Sequence, residues 1–391
     1  MKFNTMKMED ALDALIDYRG KTPQKSKTGI MTLSAKSVKN NHIDYAQCYF
    51  ISEEEYEKFM VRGFPKKGDI LLTTEAPLGL VARLDRNDVA IAQRLLTLRG
   101  KENVLDNDYL LYYLQSPIGQ TSLKARETGT TVTGIKQAEF RKIEIEIPDY
   151  EVQKKVSGIL RVIDQKIELN NAINNNLEQQ AQAIFANEFL SLDTLPEGWK
   201  QASLIDIADY LNGLAMQKYR PTADESGIPV LKIKELRQSF CDDNSELCSP
   251  SIKSDYIIHD GDVIFSWSGS LLVDLWCGGI CGLNQHLFKV TSSKYDKWFY
   301  YAWTKHHLDH FVAVAADKAT TMGHIKRDEL AKAEVLIPNE TDYNRIGALL
   351  QPIYEMIISN RIENKKLAAT RDTLLPKLMN GEIDMSEVDY E

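Results

Sequence analysis

Short apolar runs broken by Gly- and Pro-rich turns alternate along the chain with two long stretches of a different period. Asp69–Thr74, Val89–Leu98 and Lys142–Ile147 read as strands, and so do Asp262–Trp267, Leu287–Thr291 and Ala333–Ile337. Turn chemistry such as Pro65-Lys66-Lys67-Gly68 punctuates them, and helices fit Asn107–Gln115 and Lys297–His306. From Glu151 to Leu190 there is no Pro and one Gly. Apolar positions there run Val156, Leu160, Ile163, Ile167, Leu177, Ala181 and Ile184, in steps of four and three, with Asn170 and Asn174 filling the gap in register. Ile346, Leu350, Ile353, Ile357, Asn360, Asn364, Leu367, Arg371 and Leu374 repeat that register. Such spacing is the seam of a coiled coil, because a 3.5-residue average keeps one stripe facing a partner. Each helix would be about 60 Å long at 1.5 Å per residue.

The two halves of the chain match each other. Gly68-Asp69-Ile70-Leu71 aligns with Gly261-Asp262-Val263-Ile264, and Gly20 with Gly213, at an offset of 193. Gln93 aligns with Gln285 at 192. Beyond them Thr130-Thr131, Ile135-Lys136, Ile147-Pro148, Asn170 and Asn174 align with Thr320-Thr321, Ile325-Lys326, Ile337-Pro338, Asn360 and Asn364 at 190. A period this long is no solenoid repeat; it is a tandem duplication of a domain and its helix. Gln93 and Gln285 fall within apolar runs and read as framework. The predicted class is α+β: two tandem α/β-mixed domains, at 1–150 and 191–340, separated by long helices at 151–190 and 341–391. Paired antiparallel, the helices would bring Asn170 and Asn174 against Asn360 and Asn364, since midpoint meets midpoint, and would give a pseudo-two-fold body. A buried Asn costs stability but sets register. Pro352 should kink the second helix or mark its true start.

Composition changes little of this. The chain has 391 residues, 43% hydrophobic and 26% charged, with no membrane-length apolar run and no signal-like N-terminus, which leaves the cytoplasm as the default compartment. Cys48, Cys241, Cys248, Cys277 and Cys281 lack the tighter pairing of zinc sites and read as reduced thiols. The net charge of −9 is unevenly spread: residues 1–150 hold 22 basic against 21 acidic side chains, and 191–340 hold 15 against 21. Nucleic-acid binding needs a basic surface rather than a basic total, so charge does not exclude it. Phosphate-cradling glycine loops are absent, as is the Asn/Asp-Pro-Pro-aromatic run of amino-methyltransferases. Glu363-Asn364-Lys365 and the cluster His306, His307 and His310 read as helix surface, and no catalytic or metal site is expected.

Taken together, the tandem domain-plus-helix plan, the Gly-Asp-Ile/Val strand in each copy and the Thr-Thr loop leading to Ile-x-Pro resemble the specificity subunits of type I restriction–modification systems. Leu195-Pro196-Glu197-Gly198-Trp199 and the tail Leu374-Leu375-Pro376-Lys377-Leu378-Met379-Asn380-Gly381-Glu382-Ile383 also fit. Copy one lacks the Gly-Trp approach, and the Gln expected early in each helix is Gln153 in copy one but Tyr343 in copy two. The resemblance implies a non-catalytic reader of double-stranded DNA. Each domain would recognise half of a split, asymmetric site, and the paired helices would set the spacer and dock two modification subunits. S-adenosylmethionine would belong to those adenine-methylating partners, not to this chain, and restriction subunits would be further partners. The alternative is a coiled-coil scaffold whose ends bind proteins, which the acidic total favours.

Base readout needs Arg or Lys for guanine and Asn or Gln for adenine; phosphate contacts add Ser and Thr. Loops rich in these types are the candidates. In copy one they contribute Lys21, Thr22, Gln24, Lys25, Lys27, Lys36 and Lys39, then Thr73 and Thr74, then Thr131, Thr133 and Lys136. In copy two they contribute Gln217, Lys218, Arg220, Lys232 and Lys234, then Trp267, Ser268 and Ser270, then Thr321, His324 and Lys326. The copies keep their framework matches and differ in these loops.

Overall fold

The computed structural model describes residues 1–129, 133–317 and 327–388. The chain forms two compact units, Met1–Gln165 with Leu367–Glu391, and Lys166–Lys366. Each long helix is thus divided, one half to each unit. The globular parts are called module one and module two below.

Each module is built on a four-stranded antiparallel sheet. In module one its order is Leu12–Asp17, Leu95–Gly100, Ile70–Thr74, Leu78–Arg83; in module two it is Asp209–Asn212, Leu287–Thr291, Val263–Ser266, Leu272–Leu275. The registers correspond: Ile70 faces Leu98, and Val263 faces Val290. The second sheet of each module contains one parallel pair, Ile30–Leu33 with Val89–Ile91 and Ile228–Leu231 with Cys281–Leu283. Module two adds Ile257–Ile258 beside that pair; module one has Phe64-Pro65 at the same offset, and Pro has no N–H to give a ladder. A two-stranded ribbon, Phe3–Lys7 with Glu144–Pro148 or Lys200–Ser203 with Glu334–Ile337, leads into each long helix.

The shared Gly-Asp motif has one geometry in both copies. Gly68 and Gly261 hold φ of +96° and +88°, which other residues rarely adopt. Asp69 Oδ2 accepts the Lys66 amide at 2.8 Å, and Asp262 Oδ2 accepts the His259 amide at 2.9 Å. The carboxylate thus closes the turn that launches the buried central strand. Asp69 takes both arms of Arg99, at 2.7 and 2.8 Å; Asp262 takes Lys289 at 2.8 Å.

Val89–Leu98 is not one strand. It is Val89–Ile91 and Leu95–Gly100, in different sheets, joined by a turn at Ala92–Arg94 where Arg94 has φ +71°. Gln93 therefore sits in a turn rather than in a strand, and Gln285 does the same between Cys281–Leu283 and Leu287–Thr291. The helices Asn107–Gln115 and Lys297–His306 have the bounds expected.

The central helix, Tyr150–Phe185, ends in a π-helical turn at Ala186–Leu190; the distal helix is Glu340–Met379, followed by a short tail. Pro352 neither starts nor stops the distal helix. It lies on the exposed face, where the carbonyl it leaves unpaired, that of Ala348, can reach water. Within each unit the helix halves run antiparallel. In the first, Asp164 Oδ1 accepts Arg371 at 2.8 Å and Oδ2 accepts the Tyr112 hydroxyl at 2.7 Å, while Val156 and Leu160 share a core with Leu375, Leu378 and Met379. In the second, Asn170 Nδ2 donates to Asn364 Oδ1 at 2.8 Å and to Glu363 Oε2 at 2.7 Å; Asn360 Nδ2 donates to Asn174 Oδ1 at 2.9 Å. Arg361 bridges Asp274 and Glu178, and Arg345 forks onto Glu188. As the central helix advances from 164 to 188 its partners retreat from 371 to 345, so the direction is fixed by six contacts.

Gln153 is fully buried; its Oε1 accepts the amide of Asp106, the N-cap of Asn107–Gln115, at 2.9 Å. Tyr343 stands 190 residues on and its hydroxyl accepts the amide of Asp296, the N-cap of Lys297–His306, at 2.8 Å. Two unlike side chains tie the long helix to the same helix end.

Candidate nucleic-acid interface

The turns that follow the central strand of each module collect the polar side chains. In module one, Glu75 is the hub. Its Oε1 meets Arg94 Nε at 2.8 Å and its Oε2 meets Arg19 Nη2 at 3.6 Å, so a carboxylate holds two guanidiniums at one place. Glu75 also bridges Gly134, and the Ile135 amide donates to Thr74 O at 3.0 Å. A Cβ at Gly134 would stand 2.5 Å from Thr74 O, so only glycine allows this approach. Three loops far apart in sequence thereby meet with the Gln93-Arg94 turn.

Not every expected contact residue joins them. Thr73 and Thr74 are 0% and 6% exposed, and Thr73 Oγ1 accepts the Leu80 amide at 2.9 Å. Both belong to the strand, not to a surface that could meet a base, because burial in the sheet closes their hydroxyls to a ligand. Lys21, Thr22, Gln24, Lys25, Lys27 and Lys36 are exposed and Lys39 half-buried. Lys25 lies over the Tyr49 ring on the edge strand of the second sheet. Thr133 and Lys136 are exposed at the third loop, and Thr131 lies outside the described residues.

In module two the turn residues Asn284, Gln285 and His286 line a cleft of about 560 Å³ with Gln217, Arg220, Lys232, Lys234 and Glu246. Three cations and one carboxylate line it, although the module as a whole is acidic. Glu246 pairs with Lys232 at 2.7 Å and Arg220 at 3.3 Å, and these cations hold its carboxyl below the usual range. Lys234 pairs with Asp242 at 2.9 Å. Lys218 and Ser270 are exposed. Trp267 Nε1 donates to Asn212 Oδ1 at 3.0 Å, and its ring stacks on Phe288. Ser268 is 4% exposed and lies 3.0 Å from His286 Nδ1. It acts on its surroundings through that ring, since its own hydroxyl is closed off. Thr321, His324 and Lys326 lie outside the described residues. Among the described residues no cluster of three or more His, Cys, Asp or Glu is placed to hold a metal. His306 and His307 pack on Phe185 and Trp303, and burial pushes both below the usual histidine range.

Such a surface offers guanidiniums, amides and ammonium groups on turns held by rigid strands. The model of the type I restriction modification DNA specificity domain matches residues 5–179 and again 196–369. The chain belongs to that family and is a type I restriction–modification specificity subunit. It is 27% identical over 360 residues to the MjaIX specificity subunit of Methanocaldococcus jannaschii, covering 86% of this chain and 82% of that one. It is 21% identical over 399 residues to the HindI specificity subunit of Haemophilus influenzae, covering 81% and 87%. A crystal structure of the type I system S subunit from M. genitalium overlays with a TM-score of 0.60 at 14% identity, over 97% and 96% of the two chains, which shows a shared fold. A specificity subunit recognises DNA, and two specificity domains in tandem match the duplication seen in the sequence. No helix among the described residues is long and apolar enough to cross a membrane.

Two residues at these turns, Arg94 and His286, escaped the sequence reading, and the paired glutamines Gln93 and Gln285 were read there as framework. Their signal was present. A glutamine recurs at the same place in both copies, followed by a donor, Arg or His, and then by Leu.

Proposed function

We propose that this specificity subunit reads a bipartite, asymmetric DNA site, one half per module, for partner subunits that methylate adenine. The observation that carries this is the pairing of like frameworks with unlike turns: the same strands present Arg19, Glu75 and Arg94 in module one and Asn212, Trp267, Ser268 and His286 in module two. A duplicated binder of one ligand has no reason to exchange the polar side chains at these turns while keeping the strands that present them. The antiparallel helices, locked by the asparagine pairs, set the unread spacer, and two modification subunits dock on the assembly, with restriction subunits as further partners. S-adenosylmethionine is held by the modification subunits, which also flip the target base from the duplex; this chain supplies recognition and no bond-making. The exposed Lys and Arg of the two modules meet phosphates, with affinity falling steeply with salt. The reader works in the cytoplasm. Methylome sequencing of cells expressing the chain with its methyltransferase tests this. Two defined half-sites at a fixed spacing are the expected result, and methylation without a motif contradicts it.

A further inference from the structure

At matched positions the two modules carry different side-chain pairs that make the same connection. Glu75 and Ser268 are 193 residues apart; Arg94 and His286 are 192 apart, as are Gln93 and Gln285. In module one Glu75 Oε1 holds Arg94 Nε at 2.8 Å; in module two Ser268 Oγ holds His286 Nδ1 at 3.0 Å. Both contacts tie the residue just beyond the central strand to the turn that opens the neighbouring strand. Two positions distant in the chain therefore changed together, from acid with guanidinium to hydroxyl with imidazole, and stayed bonded.

The arginine is held at a cost. Its φ of +71° lies where L side chains are strained, and a turn needing only that conformation is better served by Gly or Asn. Its side chain is 53% exposed and the ion pair engages Nε, so its terminal nitrogens have no protein partner among the described residues. Gln93 beside it is half-buried with its amide likewise unpartnered among them. In module two the Gln285 amide donates to His286 Nε2 at 3.2 Å, which leaves the ring hydrogen on Nδ1, facing Ser268.

We infer that Arg94 and His286, oriented by Glu75 and Ser268, select the base at one position in each half-site. The inference rests on the DNA-reading function proposed above. Glu75 aims the guanidinium fork, and a fork of this kind donates to O6 and N7 of guanine. Module one therefore requires a guanine where Arg94 enters the groove, and module two sets its base at the equivalent place through the Gln285–His286 edge.

The test uses the full chain assembled with its methyltransferase, incubated with a randomised DNA library. Both the retained and the methylated sequences are read. Glu75→Ser with Arg94→His puts module two's pair into module one. It is expected to change one position in one half-site and lower the preference for guanine there by about tenfold or more, the discrimination that a lost bidentate contact removes. Arg94→Lys keeps the charge and loses the fork; it is expected to retain DNA while relaxing the same position. Ser268→Glu with His286→Arg is expected to change the other half-site. If the unaltered complex selects a bipartite motif and Arg94→Lys and the pair exchange all select that motif unchanged, the inference is overturned while the reading function stands. If the unaltered complex selects no motif, the reading function itself fails.

Discussion

Module one and module two share their frame and differ in almost everything laid on it. The Gly-Asp turn, the four-stranded sheet, the parallel pair and the N-cap held by the long helix are common to both. The cores are not. Module one packs Leu, Ile and Tyr around Tyr109–Leu114, whereas module two fills the equivalent space with Trp298, Phe299, Trp303, Phe185, Phe189 and Trp199. All five tryptophans fall in residues 191–340, as do six of the seven histidines. What was kept is the set of backbone hydrogen bonds that any sequence on this fold must satisfy. What drifted is volume filling, which tolerates exchange when the total is preserved, and the turns, which face outward. A contrast of this kind predicts that frame mutations cost stability in either module and that turn mutations change only what one module recognises.

Removing a framework cation should have the largest effect. Arg361 serves Asp274 at 2.8 Å and Glu178 at 3.0 Å, with its side chain 23% exposed. Arg361→Ala therefore breaks two ion pairs at once and, among the described residues, leaves Asp274 only the Leu275 amide and Glu178 only Lys305 at 3.5 Å. A loss of about 3 kcal/mol is expected, the lower end for a broken buried pair because this one is partly wet. Tryptophan fluorescence in a urea titration reads it, since every tryptophan lies in module two. Arg371→Ala in module one, read by calorimetric unfolding because no tryptophan lies there, should cost less, about 1–2 kcal/mol, because Asp164 keeps the Tyr112 hydroxyl. Equal losses would mean the tyrosine contributes nothing.

The helix seam comes next. Asn360→Ala leaves Asn174 Oδ1 buried without its donor and should cost about 1–3 kcal/mol. Asn364→Ala should cost less, because Asn170 Nδ2 also donates to Glu363. Calorimetric unfolding ranks the two, and a reversed order would break the account of the register.

A smaller effect separates the modules by pH. Burial lowers the His306 and His307 pKa values in the folded chain. Their contribution is complete above the unfolded histidine value of about 6.5. It is lost as pH falls below that, because the unfolded chain takes up protons that the folded one refuses. Between pH 7 and pH 5 the tryptophan-detected midpoint should fall, and His306→Phe with His307→Gln should flatten the slope. An unchanged slope would place the sensitivity elsewhere.

These particulars also show which features were legible in the sequence. Regular periods were: both long helices, their seam and the helices Asn107–Gln115 and Lys297–His306 follow from spacing alone. The uninterrupted passage through Pro352 depends on exposure, which spacing does not carry, and the π turn at Ala186–Leu190 leaves no mark in the spacing. The Gln93 and Gln285 turns were hidden because the apolar run continues on both sides, its halves buried in different sheets, with no glycine at Arg94 to mark the left-handed residue. Thr73, Thr74 and Ser268 looked like surface contacts because a hydroxyl suits a buried strand end as well as a phosphate. Gln153 and Tyr343 do one job with two chemistries, which no pairwise match of letters would reveal.

The most direct test of two independent readers is a module exchange. Residues 1–149 are replaced by the corresponding stretch of another specificity subunit, and the methylated motif is sequenced from cells carrying the matching methyltransferase. One half-site should change, with the other half and the spacer length as before. A motif altered in both halves, or in neither, would contradict the assignment of one half-site to each module.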